Sequence, residues 1–142
     1  MKKVLFLLTL LAGAVSCSSG GSSTAQAAEP VKDHVEVIYF HGKQRCATCM
    51  AIEKEAKALV ENRFAEEVKK GKVVFRVIDI SDPKNEKMAD SYEVSWSSLY
   101  VTGFKGGKEK RENLTQFGFG NARSNPERFR KGLSEKINAA LK

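Results

Sequence analysis

Two cysteines three residues apart, Cys46 and Cys49, stand in the stretch "YFHGKQRCATCMAIEKEAKALV" (39–60) with only Ala47 and Thr48 between them. That spacing suits three kinds of chemistry: a structural disulfide, half of a metal site, or a dithiol that cycles between reduced and oxidised states. A bridge between residues so close in sequence closes a very short loop and stabilises a fold little. A metal needs more ligands than one C-x-x-C supplies. There is no second such motif, and His34 and His41 are the only histidines. His41, five residues before Cys46, could join the pair in a soft copper or zinc site, stabilise a thiolate, or merely cap the loop. A cycling dithiol needs one accessible, acidified thiol with a second in reach.

The elements that must position the pair follow from hydrophobic pattern. Val35, Val37, Ile38, Tyr39 and Phe40 form a nearly continuous apolar run, the pattern of a buried strand. From Cys46 the period changes: Ile52, Ala56, Leu59, Val60, Phe64 and Val68 recur at three- and four-residue steps, predicting one helix of about six turns. Lys69, Lys70 and Gly71 supply its stop. "KVVFRVIDI" (72–80) is a second β-branched strand, and "SDPKNEKMADSYEV" predicts a short helix to Tyr92, with Asp79 and Asp82 as turn and helix-start residues. "LYVTGF" and "KEKRENLT", separated by "KGG", read as a hairpin. The stretch "QFGFGNAR" (116–123) reads as a strand end turning into a helix, with Phe117 and Phe119 on opposite sides. Asn125 as N-cap and Pro126 at the first position open a last helix, with Phe129, Leu133, Ile137 and Leu141 on one face. The order strand, helix, strand, helix, strand, strand, helix predicts a central sheet covered by helices on both faces, its first two strands parallel.

Ahead of this domain the chain has a different character. Lys2 and Lys3 precede an apolar run from Val4 to Val15, too short to cross a bilayer and laid out as a bacterial export signal. "AVSC", ending at Cys17, resembles a lipoprotein processing site in which the cysteine becomes the lipid-bearing first residue. "AQA" at 25–27 resembles an ordinary cleavage site but lies far past the apolar run. The expected division is therefore signal peptide 1–16, lipidated Cys17 with a small, polar linker through Pro30, and a domain over 31–142. Cleavage would lower the net charge from +7 to +5 by removing Lys2 and Lys3, and would leave Cys46 and Cys49 as the thiols, in an envelope compartment where disulfides persist. Acids and bases are interleaved without a basic stripe or an RNA-binding signature, which argues against nucleic acid. No phosphate loop, nucleophilic serine constellation or paired-carboxylate site stands out.

The element order, with C-x-x-C at the junction of first strand and helix, resembles the thioredoxin-like fold: a three-layer α/β sandwich whose mixed sheet has about four strands. "VEVIYFHGKQRCATC" is similar to the thioredoxin first strand, loop and redox motif, and the stretch from Val73 through "GGKEK" to its later half. Several positions depart from that pattern. Arg45 stands where an aromatic residue usually precedes the first cysteine, Ala47-Thr48 replace Gly-Pro, and Tyr39 or Phe40 replaces the buried acid of the first strand. Ser98 occupies the place of the proline whose cis bond faces the cysteines. A cis bond before a non-proline costs about 3–4 kcal/mol, so this loop is expected to be trans or rebuilt.

The resemblance implies a protein dithiol–disulfide exchanger. Cys46, at the positive end of a helix dipole, is the implied nucleophile, and Cys49, one turn deeper, the resolving thiol. Lys43 and Arg45 add cationic charge beside Cys46, and His41 lies near. Trp96, Ser97 and Ser98 form the loop expected to face the partner. The implied partners are protein dithiols or disulfides and a membrane redox partner. No cofactor is implied. The competing expectation is a binding or chaperone module of the same fold that carries copper or zinc on Cys46, Cys49 and His41.

Overall fold

The computed structural model describes residues 33–142; the expected export signal, the Cys17 lipidation site and the linker through Pro30 lie outside the described residues. The apolar run Val35 to Phe40 becomes β1 (His34–His41), inside a four-stranded sheet ordered β2-β1-β3-β4. Strand β2 (Val73–Asp79) pairs parallel to β1, with Val35 opposite Val73 and His41 opposite Asp79. Strand β3 (Ser98–Lys105) runs antiparallel on the other side of β1, and β4 (Lys108–Asn113) completes a hairpin. The hairpin turns through Gly106 and Gly107 at φ 56° and 75°, a region in which a Cβ is strained.

Both faces of the sheet are covered, as strand alternation requires. Val35, Val37 and Tyr39 point to one side and pack with Ile52, Ala56 and Val60 of α1 (Ala47–Arg63) and with Phe129, Leu133 and Ile137 of α5 (Pro126–Leu141). Ile38 and Phe40 point to the other side and pack with Ile78 and Tyr92, Tyr92 lying just after α3 (Glu86–Ser91). Among the described residues, both hydrophobic clusters lie within 33–142, a length sufficient for a segment to fold independently.

Two elements differ from the sequence expectation. The predicted six-turn helix breaks at Phe64, whose backbone leaves helical geometry at φ −111°, ψ 23° while its ring stays buried. A separate α2 (Ala65–Lys69) follows, and Val68, expected on the buried face, is instead exposed. Residues expected to end a strand form α4 (Thr115–Asn121). Its two glycines argue against a helix by propensity, but one is tightly packed. A Cβ on Gly118 would lie 3.3 Å from Ile52 Cδ1 and 3.6 Å from Leu99 Cδ2. The last helix starts as predicted, Asn125 accepting a hydrogen bond from the Arg128 N–H with Pro126 in the first turn.

Candidate functional site

The cysteine pair sits where β1 hands the chain to α1. Cys46 is the N-cap of α1, in extended geometry, and its Sγ accepts the Cys49 N–H at 3.0 Å. One of the four unpaired donors of the helix start is thereby aimed at sulfur, the arrangement that stabilises a thiolate. The two Cα atoms are 5.0 Å apart and the sulfurs are bonded as a disulfide. Their surroundings differ: Cys46 is exposed and Cys49 is only 6% exposed. An incoming sulfur can therefore reach Cys46, whereas Cys49 is reachable chiefly from Cys46.

Beneath the pair lies Tyr39. Its hydroxyl donates to the Cys49 carbonyl at 2.9 Å from a fully buried ring. Of the two residues expected to replace the buried acid, Tyr39 is the one below the dithiol; Phe40 points to the opposite face of the sheet. Burial raises the Tyr39 phenol above its ordinary value, while a hydrogen bond with Ser97 and the charge of Arg45 pull weakly the other way. The Tyr39 hydroxyl thus ties the centre of the sheet to the first turn of α1.

The residues expected to tune Cys46 are distributed unevenly. The Arg45 guanidinium pairs with Glu53 of α1, so part of its charge is neutralised before it reaches Cys46. Lys43 and His41 lie close enough to Asp79 to help hold its carboxyl below the ordinary range, although the Ser81 hydroxyl and N–H, both bonded to Asp79, are the main cause. His41 directs Nδ1 to the Gly42 carbonyl at 3.0 Å. It does not complete a ligand set with the cysteines: among the described residues no group of three or more His, Cys, Asp or Glu side chains is placed to hold a metal ion. Asp79 and Asp82 serve the turn, Asp82 accepting from the Lys84 N–H at 3.0 Å.

The facing loop lies at the same end of the sheet, since Ser98 pairs with Phe40, next to the last residue of β1. Ser97 and Ser98 are buried, and the Ser98 hydroxyl donates to the Trp96 carbonyl. Trp96 is 60% exposed and stacks on Phe119 of α4 with ring centroids 5.6 Å apart. Phe117 turns inward against Phe129. Met50, next to Cys49, is also half exposed. Glu53 and Met50 carried no signal in the sequence as site residues, although Glu53 stands one turn beyond Cys49 on the same helical face.

No protein-family model matches the sequence, and no curated protein matches it. Among solved structures, the chain is similar to the Trx4 domain of ERdj5, at 15% identity and TM-score 0.50, over 77% of this chain and 81% of that one. The fold is thioredoxin-like. A thioredoxin from Fasciola hepatica aligns at 21% identity and TM-score 0.45, covering 75% of this chain and 81% of that one. A thioredoxin from Thermus thermophilus aligns at 14% identity and TM-score 0.44, over 75% and 78%.

Proposed function

We propose that this chain is an extracytoplasmic thiol–disulfide oxidoreductase, tethered to a bacterial envelope membrane by lipid on Cys17, that exchanges electrons with protein dithiols and disulfides through Cys46 and Cys49. One observation carries the redox reading: an exposed Cys46 caps α1 and accepts the Cys49 N–H, while Cys49 waits buried one turn on. The envelope location is supported by the layout of residues 1–17.

In the reducing direction the Cys46 thiolate attacks one sulfur of a substrate disulfide. A Cys46–substrate bond forms, the substrate S–S bond breaks, and the other substrate sulfur leaves as a thiolate. Cys49 then loses its proton and attacks Cys46 Sγ, forming the intramolecular disulfide and expelling the second substrate thiolate. Two electrons pass from the dithiol to the substrate, and the reverse sequence oxidises a substrate dithiol. A membrane redox partner would restore the starting state. Exposed Trp96, resting on the partly buried Phe119, and exposed Met50, one helical turn after Cys46, offer apolar surface at this end of the sheet against which an unfolded or extended polypeptide can lie.

The test is an equilibrium redox titration read by alkylation mass shift. A reversible two-electron transition between about −270 and −120 mV is expected, and a bond that stays closed below about −300 mV would mean a structural disulfide instead. Cys46→Ser should abolish exchange, whereas Cys49→Ser should accumulate mixed disulfides with partners. Exchange that survives both substitutions would refute the reading.

A further inference from the structure

The sheet has two ends of opposite character. One end carries Cys46 and the Trp96 loop. The other is the end at which the preceding chain enters the domain: Asp33 leads into β1 and accepts the Gly106 N–H of the β3–β4 turn at 2.9 Å. Because β1 and β2 are parallel and β3 antiparallel, this entry end also gathers the start of β2, the end of β3 and the start of β4. The exposed lysines Lys69, Lys70, Lys72, Lys105, Lys108 and Lys142 stand there. Lys142 is held by its carbonyl, which accepts from Lys105 Nζ at 2.6 Å. The acids of the same end are Asp33, Glu66, Glu67 and Glu109; Glu66 pairs with Lys69 and Glu109 with Arg111. Beside this rim, the hairpin and α5 enclose a groove whose floor is apolar, formed by Val101, Gly103, Ala139 and Ala140.

We infer that this lysine-rich entry end is a docking face for an anionic membrane surface, holding the domain with its dithiol pointed away from the bilayer. The inference rests on the proposed lipid at Cys17, which would hold the domain close to headgroups by the chain that enters at this end. Charge complementarity then acts where the anchor puts it. Each lysine close to an anionic lipid surface strengthens partitioning about five-fold, within a screening distance of about 8–10 Å. The eight residues of β1 hold the two ends about 25 Å apart, so the face that binds lipid leaves Cys46 in water, open to substrates from the aqueous side.

The test uses the chain from Ser18 onward, which lacks leader and lipid but holds the whole domain, so its outcome does not depend on lipidation or on redox activity. Cosedimentation is measured with vesicles of phosphatidylcholine containing phosphatidylglycerol and with phosphatidylcholine alone. Binding is expected only with the anionic vesicles and should fade as salt rises. The variant K70E/K72E/K105E/K108E should bind at least ~30-fold more weakly, while the equally charged control K54E/K84E/K87E/K131E should retain far more of the affinity. In the reduced, vesicle-bound protein, a bulky maleimide should label Cys46 as fast as in free protein. Binding that ignores phosphatidylglycerol, equal losses in both variants, or protection of Cys46 by vesicles would each overturn the inference; the first would leave the lysines to water or to an acidic protein. Failure of the redox titration, by contrast, would leave this result standing.

Discussion

At the scale of single residues, the reactivity of Cys46 depends on which of its neighbouring charges is free. The helix N-terminus contributes a backbone donor directly, but Arg45 is shared with Glu53. Glu53→Gln keeps a hydrogen-bond acceptor for the guanidinium and removes the competing charge. Alkylation of reduced Cys46 by iodoacetamide at pH 7 is therefore expected to run about 2–5-fold faster in E53Q, and slower by a similar factor in R45Q. Unchanged rates in both would mean that the Arg45 charge does not reach the sulfur. Tyr39 makes a second prediction. Burial raises its phenol in the folded state, as it does that of Tyr92, so the neutral forms are favoured by folding. Their stabilising contribution is fully present below the ordinary tyrosine value near 10 and is lost as pH rises through the folded values. Urea midpoints should fall more gently above pH 10 in Tyr39→Phe, which also loses about 1 kcal/mol at neutral pH with its hydrogen bond to the Cys49 carbonyl. The cysteine motif was legible as a motif, and Tyr39 as a candidate for the missing acid. Which of Tyr39 and Phe40 lay below the dithiol needed the sheet's orientation, and the Glu53 pairing needed a side-chain rotamer.

At the scale of elements, strand alternation and helical period were strong enough to place all four strands and the last helix. They failed where one residue overrides a pattern. Phe64 keeps its ring in the core by leaving helical geometry, and the four-residue step from Phe64 to Val68 then no longer lands on the buried face. Periodicity alone cannot show such a break, because every residue across it is a tolerable helix former. The two positions should respond differently in urea denaturation. Phe64→Ala should cost about 3–5 kcal/mol, whereas Val68→Ser should stay within about 0.5 kcal/mol, as surface changes usually do. Large losses at both would mean that α1 and α2 behave as one continuous helix. Helix α4 escaped for the opposite reason: Gly118 weakens the local helical signal, while the packing that holds the helix there, against Ile52 and Leu99, comes from residues distant in sequence.

For the whole molecule, redox state and folding are linked through one thermodynamic cycle, so stability reports on the site. Oxidation shortens the unfolded chain's freedom by closing the Cys46–Cys49 loop, which by the chain-entropy account favours the oxidised fold by about 2 kcal/mol. Against this, only the folded protein offers a reduced Cys46 the Cys49 N–H and the start of a seventeen-residue helix. Native stabilisation of the thiolate therefore favours the reduced fold, and the balance of the two terms sets whether the folded pair is more oxidising or more reducing than the same pair in the unfolded chain. Reduced protein at pH 7 is expected to be at least as stable to urea as oxidised protein. The difference between the two stabilities should equal the gap between the pair's potential in the folded and the unfolded chain, at about 1.4 kcal/mol per 30 mV. An oxidised form more stable by about 2 kcal/mol or more would mean that the folded site adds no thiolate stabilisation to offset the closed loop, and would make the folded pair more reducing than the unfolded chain. Lowering the pH should erode the reduced form's advantage, because it comes from a thiolate that acid removes.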